Sequence, residues 1–203
     1  MSDFQLIHQY IPKSSIDLVE FLLQEYKFKL RIKNKRKTKH GDFRLLKNGK
    51  YQITINNDIN KYRFLITLIH EIAHLKTHLE NKGKIRQIKP HGVEWKLNFQ
   101  HLMLPFLKPE IFPNEILSIL ANHLRNPKAS TDSDVKLSWI LKQQDTPTDA
   151  DYIFEIPLHQ KFKYNNRIFV RGNKRRTRFE CTELATKKVY LFHQNAEVTK
   201  IND

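Results

Sequence analysis

The chain is 203 residues long and carries 36 lysines and arginines against 21 acidic residues, a net charge of +15, with a pI near 9.8 and a mean hydropathy of -0.61. That length accommodates one sizeable domain, or one domain and a small module, and the charge favours a polyanionic partner, of which nucleic acid is the commonest in a cytoplasm. No stretch approaches the roughly 18 apolar residues of a membrane span, the segment Met1 to His8 shows no secretory pattern, and the single cysteine, Cys181, excludes an intramolecular disulfide framework and a four-cysteine zinc site, so a cytoplasmic protein with no membrane association is expected.

The first predicted element is a helix over 12–26. Pro12 and Ser14 or Ser15 give start signals, and Ile16, Val19, Leu22, Leu23 and Tyr26 follow helical spacing. Residues 27–33 then alternate strictly. Phe28, Leu30 and Ile32 share one face of a half-buried strand, and Lys27, Lys29, Arg31 and Lys33 share the other. With Lys35, Arg36 and Lys37 in the following loop, these cations are candidates for nucleic-acid contact; a solvated basic surface explains them equally well. The basic strand face is expected near the substrate cleft, with protection of a sheet edge by lysine as its alternative role. Asp42–Leu46 and Tyr51–Ile55 read as a hairpin around Asn48-Gly49. Residues 56–60 form a loop that caps a helix over 61–80, with Gly83 as its stop.

That helix holds His70-Glu-Ile-Ala-His74 inside an apolar run. Two histidines four apart share a helix face, roughly 6 Å apart along the axis, and can grip one Zn²⁺. Glu71, one residue on, can reach a water on that ion and act as general base. A chance coincidence of His and Glu is disfavoured by the flanks, because such a set is costly to bury unpaired.

Catalytic zinc takes a third protein ligand and leaves one position open. His78 lies roughly 12 Å along the helix from His70, too far to share an ion, and reads as an exposed polar residue. His101 and His123 sit among apolar helix positions and read as partnered structural histidines. His91, at a turn into the next helix, is the favoured third ligand. Glu94 is a weaker ligand candidate, or a carboxylate that orients an imidazole.

The next helix begins near His91-Gly92 and carries Val93, Trp95, Leu97, Phe99, Leu102 and Met103, with Pro105 and Pro109 limiting its end. A further amphipathic helix covers 114–124. Residues 126–150 read as a linker whose middle, Val135 to Leu141, forms a short helix that packs Trp139. From Asp151 the chain becomes a small, basic β-rich module. Its expected strands are Tyr152–Ile156, Arg167–Val170, Thr177–Cys181 and Lys188–Phe192, with turns at Asn165-Asn166 and Gly172-Asn173. Lys174, Arg175, Arg176 and Arg178 form a second candidate nucleic-acid surface. So small a core is not secure alone; the module is expected to dock on the first domain or to pair its strands tightly.

Residues His70-Glu-Ile-Ala-His74, His91-Gly-Val-Glu-Trp95, Arg36-Lys-Thr-Lys-His-Gly-Asp-Phe-Arg44 and Ile53-Thr-Ile-Asn-Asn-Asp58 resemble the SprT-like family of zinc metallopeptidases. The resemblance spans roughly residues 10–125. It implies an α+β, zincin-like catalytic domain over 1–125 with helices and a small three-stranded sheet. It also implies one catalytic zinc on His70, His74 and His91, with Glu71 as base and a protein or peptide as substrate. Many members carry a cysteine-rich zinc ribbon after the catalytic domain. Here the corresponding region, 151–203, keeps a β-rich and basic character with one cysteine, so no second structural zinc is expected. The function expected is a metallopeptidase acting on proteins associated with DNA. The rival is a nucleic-acid-binding, transcription- or stress-related protein whose zinc is structural or vestigial. Oligomeric state is not legible.

Overall fold

The computed structural model describes residues 6–36, 38–83, 88–145 and 150–201. The chain divides into two compact units, one formed by Met1–Thr131 and Ile140–Asp145, the other by Asp132–Trp139 and Thr146–Asp203. Five α-helices and two sheets lie among the described residues, and no described helix is long and apolar enough to cross a membrane.

The first unit starts with a 3-10 turn, Lys13–Ser15, that leads into α1, Ile16–Glu25. Its three-stranded sheet comprises β1, Lys29–Lys33, β2, Gly41–Leu45, and β3, Tyr51–Asn56, in the order β1-β3-β2. β1 runs parallel to β3, with Leu30 opposite Ile53, and β2 runs antiparallel to it, with Phe43 also opposite Ile53. The expected alternation is present: Leu30 is buried, whereas Lys29, Arg31 and Lys33 are exposed. β3 takes the centre because its second half, Ile53 to Asn56, is buried throughout, as a strand flanked on both sides must be.

α2, Lys61–Glu80, begins where the Asn60 side chain accepts hydrogen bonds from the backbone N–H groups of Tyr62 and Arg63, at 3.1 and 3.0 Å. These are two of the four donors a helix start leaves unpaired. The same side chain donates to the Leu141 carbonyl at 2.8 Å and to Asp145 Oδ1 at 2.6 Å. Phe64, Leu65, Ile66, Leu68, Ile69, Ile72, Ala73 and Leu75 are wholly buried. A helix apolar on every side belongs at the centre of a core, and α2 lies between the sheet and α3, Val93–Met103. α3 buries Trp95, Phe99, Leu102 and Met103 but leaves Val93 and Leu97 exposed. The core-facing side of α3 is set by residues 95, 98, 99 and 102, and positions 93 and 97 fall on the opposite stripe. α4, Asn114–Leu124, follows.

Residues 131–142 hold a 3-10 turn, Thr131–Ser133, and α5, Val135–Lys142. Trp139 is not packed away: it is half-exposed, and its indole N–H donates to Glu155 Oε1 at 3.0 Å. In the second unit the strands pair into one antiparallel sheet, in the order β4-β9-β5-β6-β7-β8. They are β4, Asp151–Tyr152, β5, Lys161–Tyr164, β6, Arg167–Lys174, β7, Arg178–Glu183, β8, Val189–His193, and β9, Glu197–Lys200. Its core is aromatic: Phe162, Phe169 and Phe192 have ring centroids 5.0–5.6 Å apart, with Phe179 and Cys181 buried alongside. The Arg167 guanidinium lies over the Phe169 and Tyr190 rings and pairs with the buried Glu183 carboxylate.

Two expectations fail in this unit. The predicted strand Tyr152–Ile156 ends at Tyr152, because Glu155 and Ile156 fold back to the carbonyls of Tyr152 and Ile153. The turn still buries Ile153 and Ile156, so apolarity there reports packing and not extension. Gly172-Asn173 is not a hairpin turn either. The pairing of β6 with β7 shifts register between Arg171 and Lys174, and a Cβ on Gly172 would stand 2.7 Å from the Glu180 carbonyl. Gly172 is therefore the close-approach residue of a β-bulge. The Asn165-Asn166 turn is present, with φ of 48° and 61°, the pattern of a type I′ hairpin.

Asn60→Ala is expected to destabilise the protein by about 1–2 kcal/mol, the upper range for a lost helix cap, because the same change removes the bonds to Leu141 and Asp145. Urea unfolding with an unchanged m-value measures it.

Candidate metal centre

The middle of α2 places His70 and His74 on one face, one turn apart. His91 reaches them from the turn before α3, where it adopts a left-handed backbone, φ 59°. Such a conformation is uncommon for a non-glycine residue and needs support from its surroundings. Trp95 supplies much of it. Its ring centroid lies 4.6 Å from those of His70 and His91 and 5.3 Å from that of His74, and its indole N–H points to the His70 carbonyl at 3.4 Å. Phe99 stacks beneath Trp95 at 5.1 Å.

The three Nε2 atoms converge. They stand 3.2 Å apart between His70 and His74, 3.0 Å between His74 and His91, and 3.2 Å between His91 and His70. Hydrogen bonding among themselves cannot satisfy all three contacts. Each nitrogen either carries a proton or a lone pair, so among three mutual contacts at least one joins two alike. A cation at the centre satisfies all three lone pairs at once. Tetrahedral ligands about 2.1 Å from one ion stand roughly 3.4 Å apart, close to the spacing found. The donor set therefore fits a metal ion, and His70, His74 and His91 form the cluster able to hold one among the described residues.

The electrostatics agree. Burial, then the charges of His74, His91 and His123, hold His70 well below the usual imidazole range. Burial, then His91, holds His74 down at about 3, and burial lowers His91. All three are neutral at pH 7, the form that binds a metal. Glu71 is 6% exposed. Burial and then the Asp42 charge push its carboxyl up to about 8, against the Phe43 backbone N–H and the Arg36 and Lys39 cations, which favour the carboxylate. A cation held by the adjacent histidines would act with those groups and pull the value down.

Glu94 sits exposed in the first turn of α3, outside the three-histidine cluster. His78 is half-buried and not exposed: its ring packs on Phe43 and Tyr51, with centroids 5.9 and 5.5 Å away, because the last turns of α2 still run along the sheet. His123 is buried, whereas His101 projects to solvent, contrary to its reading as a structural residue.

The strand that touches Glu71 is β2, through Phe43. β1 lies on the far side of β3, so its cations are not beside the base as the sequence suggested. Lys29, Arg31 and Lys33 are exposed, and Lys35 is exposed with a loose pair to Asp58 at 3.7 Å. Arg36 is not free for a ligand. It donates to Asn56 Oδ1 at 2.7 Å, Thr54 Oγ1 at 2.9 Å and the His40 carbonyl at 3.3 Å, fastening the loop before β2 to β3. Lys37 lies outside the described residues. In the second unit Lys174, Arg175, Arg176 and Arg178 are exposed; Arg175 pairs with Glu180, and Lys174 lies over the Phe179 ring. The roles of the Phe43 amide and of Arg36 are not visible in the sequence, because each depends on strand register and not on residue type.

A family model described as SprT-like family matches residues 4–111, just over half of the 203 residues, and the chain belongs to that family. No curated protein and no solved structure matches it. A divalent ion bound at this centre stabilises the folded chain by mass action, about 2.7 kcal/mol at a hundredfold excess over Kd. Zinc added to metal-stripped protein is thus expected to raise the urea midpoint, and His91→Ala to abolish the rise.

Proposed function

We propose that this SprT-like protein is a zinc-dependent metalloendopeptidase of the HExxH type with a zincin-like catalytic domain, acting on proteins associated with DNA. The observation that carries the peptidase reading is the convergence of three neutral imidazoles, 3.0–3.2 Å apart, on the helix that also presents Glu71. His70, His74 and His91 would hold the ion. Three histidines leave a fourth position open, the donor set of a catalytic and not a structural zinc. When bound, zinc acidifies a water and polarises a carbonyl. Glu71 takes the proton of the attacking water and delivers it to the leaving nitrogen. Its burial keeps competing water away, and the Phe43 N–H favours the charged, proton-accepting form.

An extended substrate would pair with the free edge of β2, the strand beside Glu71, with backbone hydrogen bonds giving affinity. The DNA part rests on the net charge of +15 and on the exposed cations of β1, Lys29, Arg31 and Lys33. These sit on an edge away from β2, so nucleic acid and polypeptide would occupy different surfaces of the same unit.

Glu71→Gln is expected to lower the cleavage of casein by at least about 100-fold, the lower bound for a lost general base, with zinc content unchanged. Undiminished cleavage removes Glu71 as the base. Alanine at Lys29, Arg31 and Lys33 together is expected to weaken DNA binding across all sequences and to reduce the salt slope by about 1 per lost contact. Identical slopes for the variant and the parent assign the polyanion surface elsewhere.

A further inference from the structure

A glutamate that transfers protons must be held to about 0.5 Å, and a buried one cannot rely on water for this. The restraint on Glu71 comes from β2. The Phe43 N–H donates to its carboxylate. Two residues earlier the strand passes so close that a Cβ on Gly41 would stand 2.7 Å from Glu71 Oε1 and 2.9 Å from Glu71 Cγ. Gly41 is not among the positive-φ residues, so a side chain is excluded there by space and not by backbone conformation.

The strand has little freedom to retreat. Gly41 is registered against Ile55, and the preceding loop is fastened to β3 by Arg36 and by the Asn56 amide, which donates to the Lys39 carbonyl at 3.0 Å. The third atom in the way is Thr67 Cγ2, at 2.6 Å. That side chain is β-branched and stiff, and its hydroxyl donates to the Arg63 carbonyl at 2.8 Å. With strand and threonine fixed, the group that yields to a side chain at position 41 is the end of the glutamate.

We propose that Gly41 is a positioning residue for Glu71: its bare backbone is the seat on which the carboxylate rests, aligned by the Phe43 amide. The proposal rests on Glu71 being the base of the peptidase. It extends that reading to a strand residue with no reactive group.

The test is a set of variants in a Thr67→Ser background, which removes the nearest obstacle, Cγ2, and leaves the two Glu71 atoms in the way. Gly41→Ala is expected to lower kcat on casein at least tenfold, with KM and zinc content unchanged. It should also lower the thermal midpoint by about 3 °C or more, and Glu71→Ala should relieve that loss. Such non-additivity marks two residues in direct contact. A Gly41→Ala protein that folds only when Glu71 is also truncated supports the seat equally. The proposal is overturned by retained kcat, or by a loss of stability that is the same with and without the Glu71 side chain. Absence of cleavage by the parent protein strikes the peptidase reading alone, since the stability cycle still decides the contact.

Discussion

Three nitrogens that cannot satisfy one another govern the rest of the first unit. His70, His74 and His91 meet at hydrogen-bond distance in a site where burial keeps all of them neutral. No tautomer assignment pairs them all, whereas a cation at the centre would satisfy all three. The helix must be central to hold two of them, the turn before α3 must be left-handed to bring the third, and Trp95 must fill the space beneath the rings.

Much of the first unit was legible because its signals are local. The apolar run of α2, the capping Asn60 and the Asn48-Gly49 hairpin each follow from neighbours in sequence, and the helix bounds agree with those of the structure. The histidine spacing is local too; distance removes His78, and His91 is favoured by its place at a turn and by the resemblance of His91–Trp95 to the SprT-like family. What the sequence does not display has a different origin. Val93 and Leu97 are apolar yet exposed, because which stripe of α3 meets the core depends on the crossing with α2. His78 finds its aromatic neighbours only through the sheet. Ile153 and Ile156 are apolar without being extended, and the bulge at Gly172 looks in sequence like any glycine turn. In each case the deciding contact is distant along the chain.

Charge was legible in amount and less so in use. The basic segment before β2 reads as one cluster, but its members divide on folding. Lys29, Arg31 and Lys33 face solvent, while Arg36 spends its guanidinium on Asn56, Thr54 and His40. A planar fork with five donors suits that task in a way lysine would not. One basic run thus divides into an exposed strand edge and an internal fastening that sets where β2 meets the helix.

The unequal mounting of the three histidines has a kinetic consequence. Two are carried by one turn of a buried helix and are in place whenever the unit is folded. The third rides on a left-handed residue in a turn, outside any helix. An incoming ion would therefore meet the helical pair first, and that preformed pair would set the rate of capture. Escape would begin with His91, so the turn would set the residence time. Loading and retention would then fall to different parts of the chain.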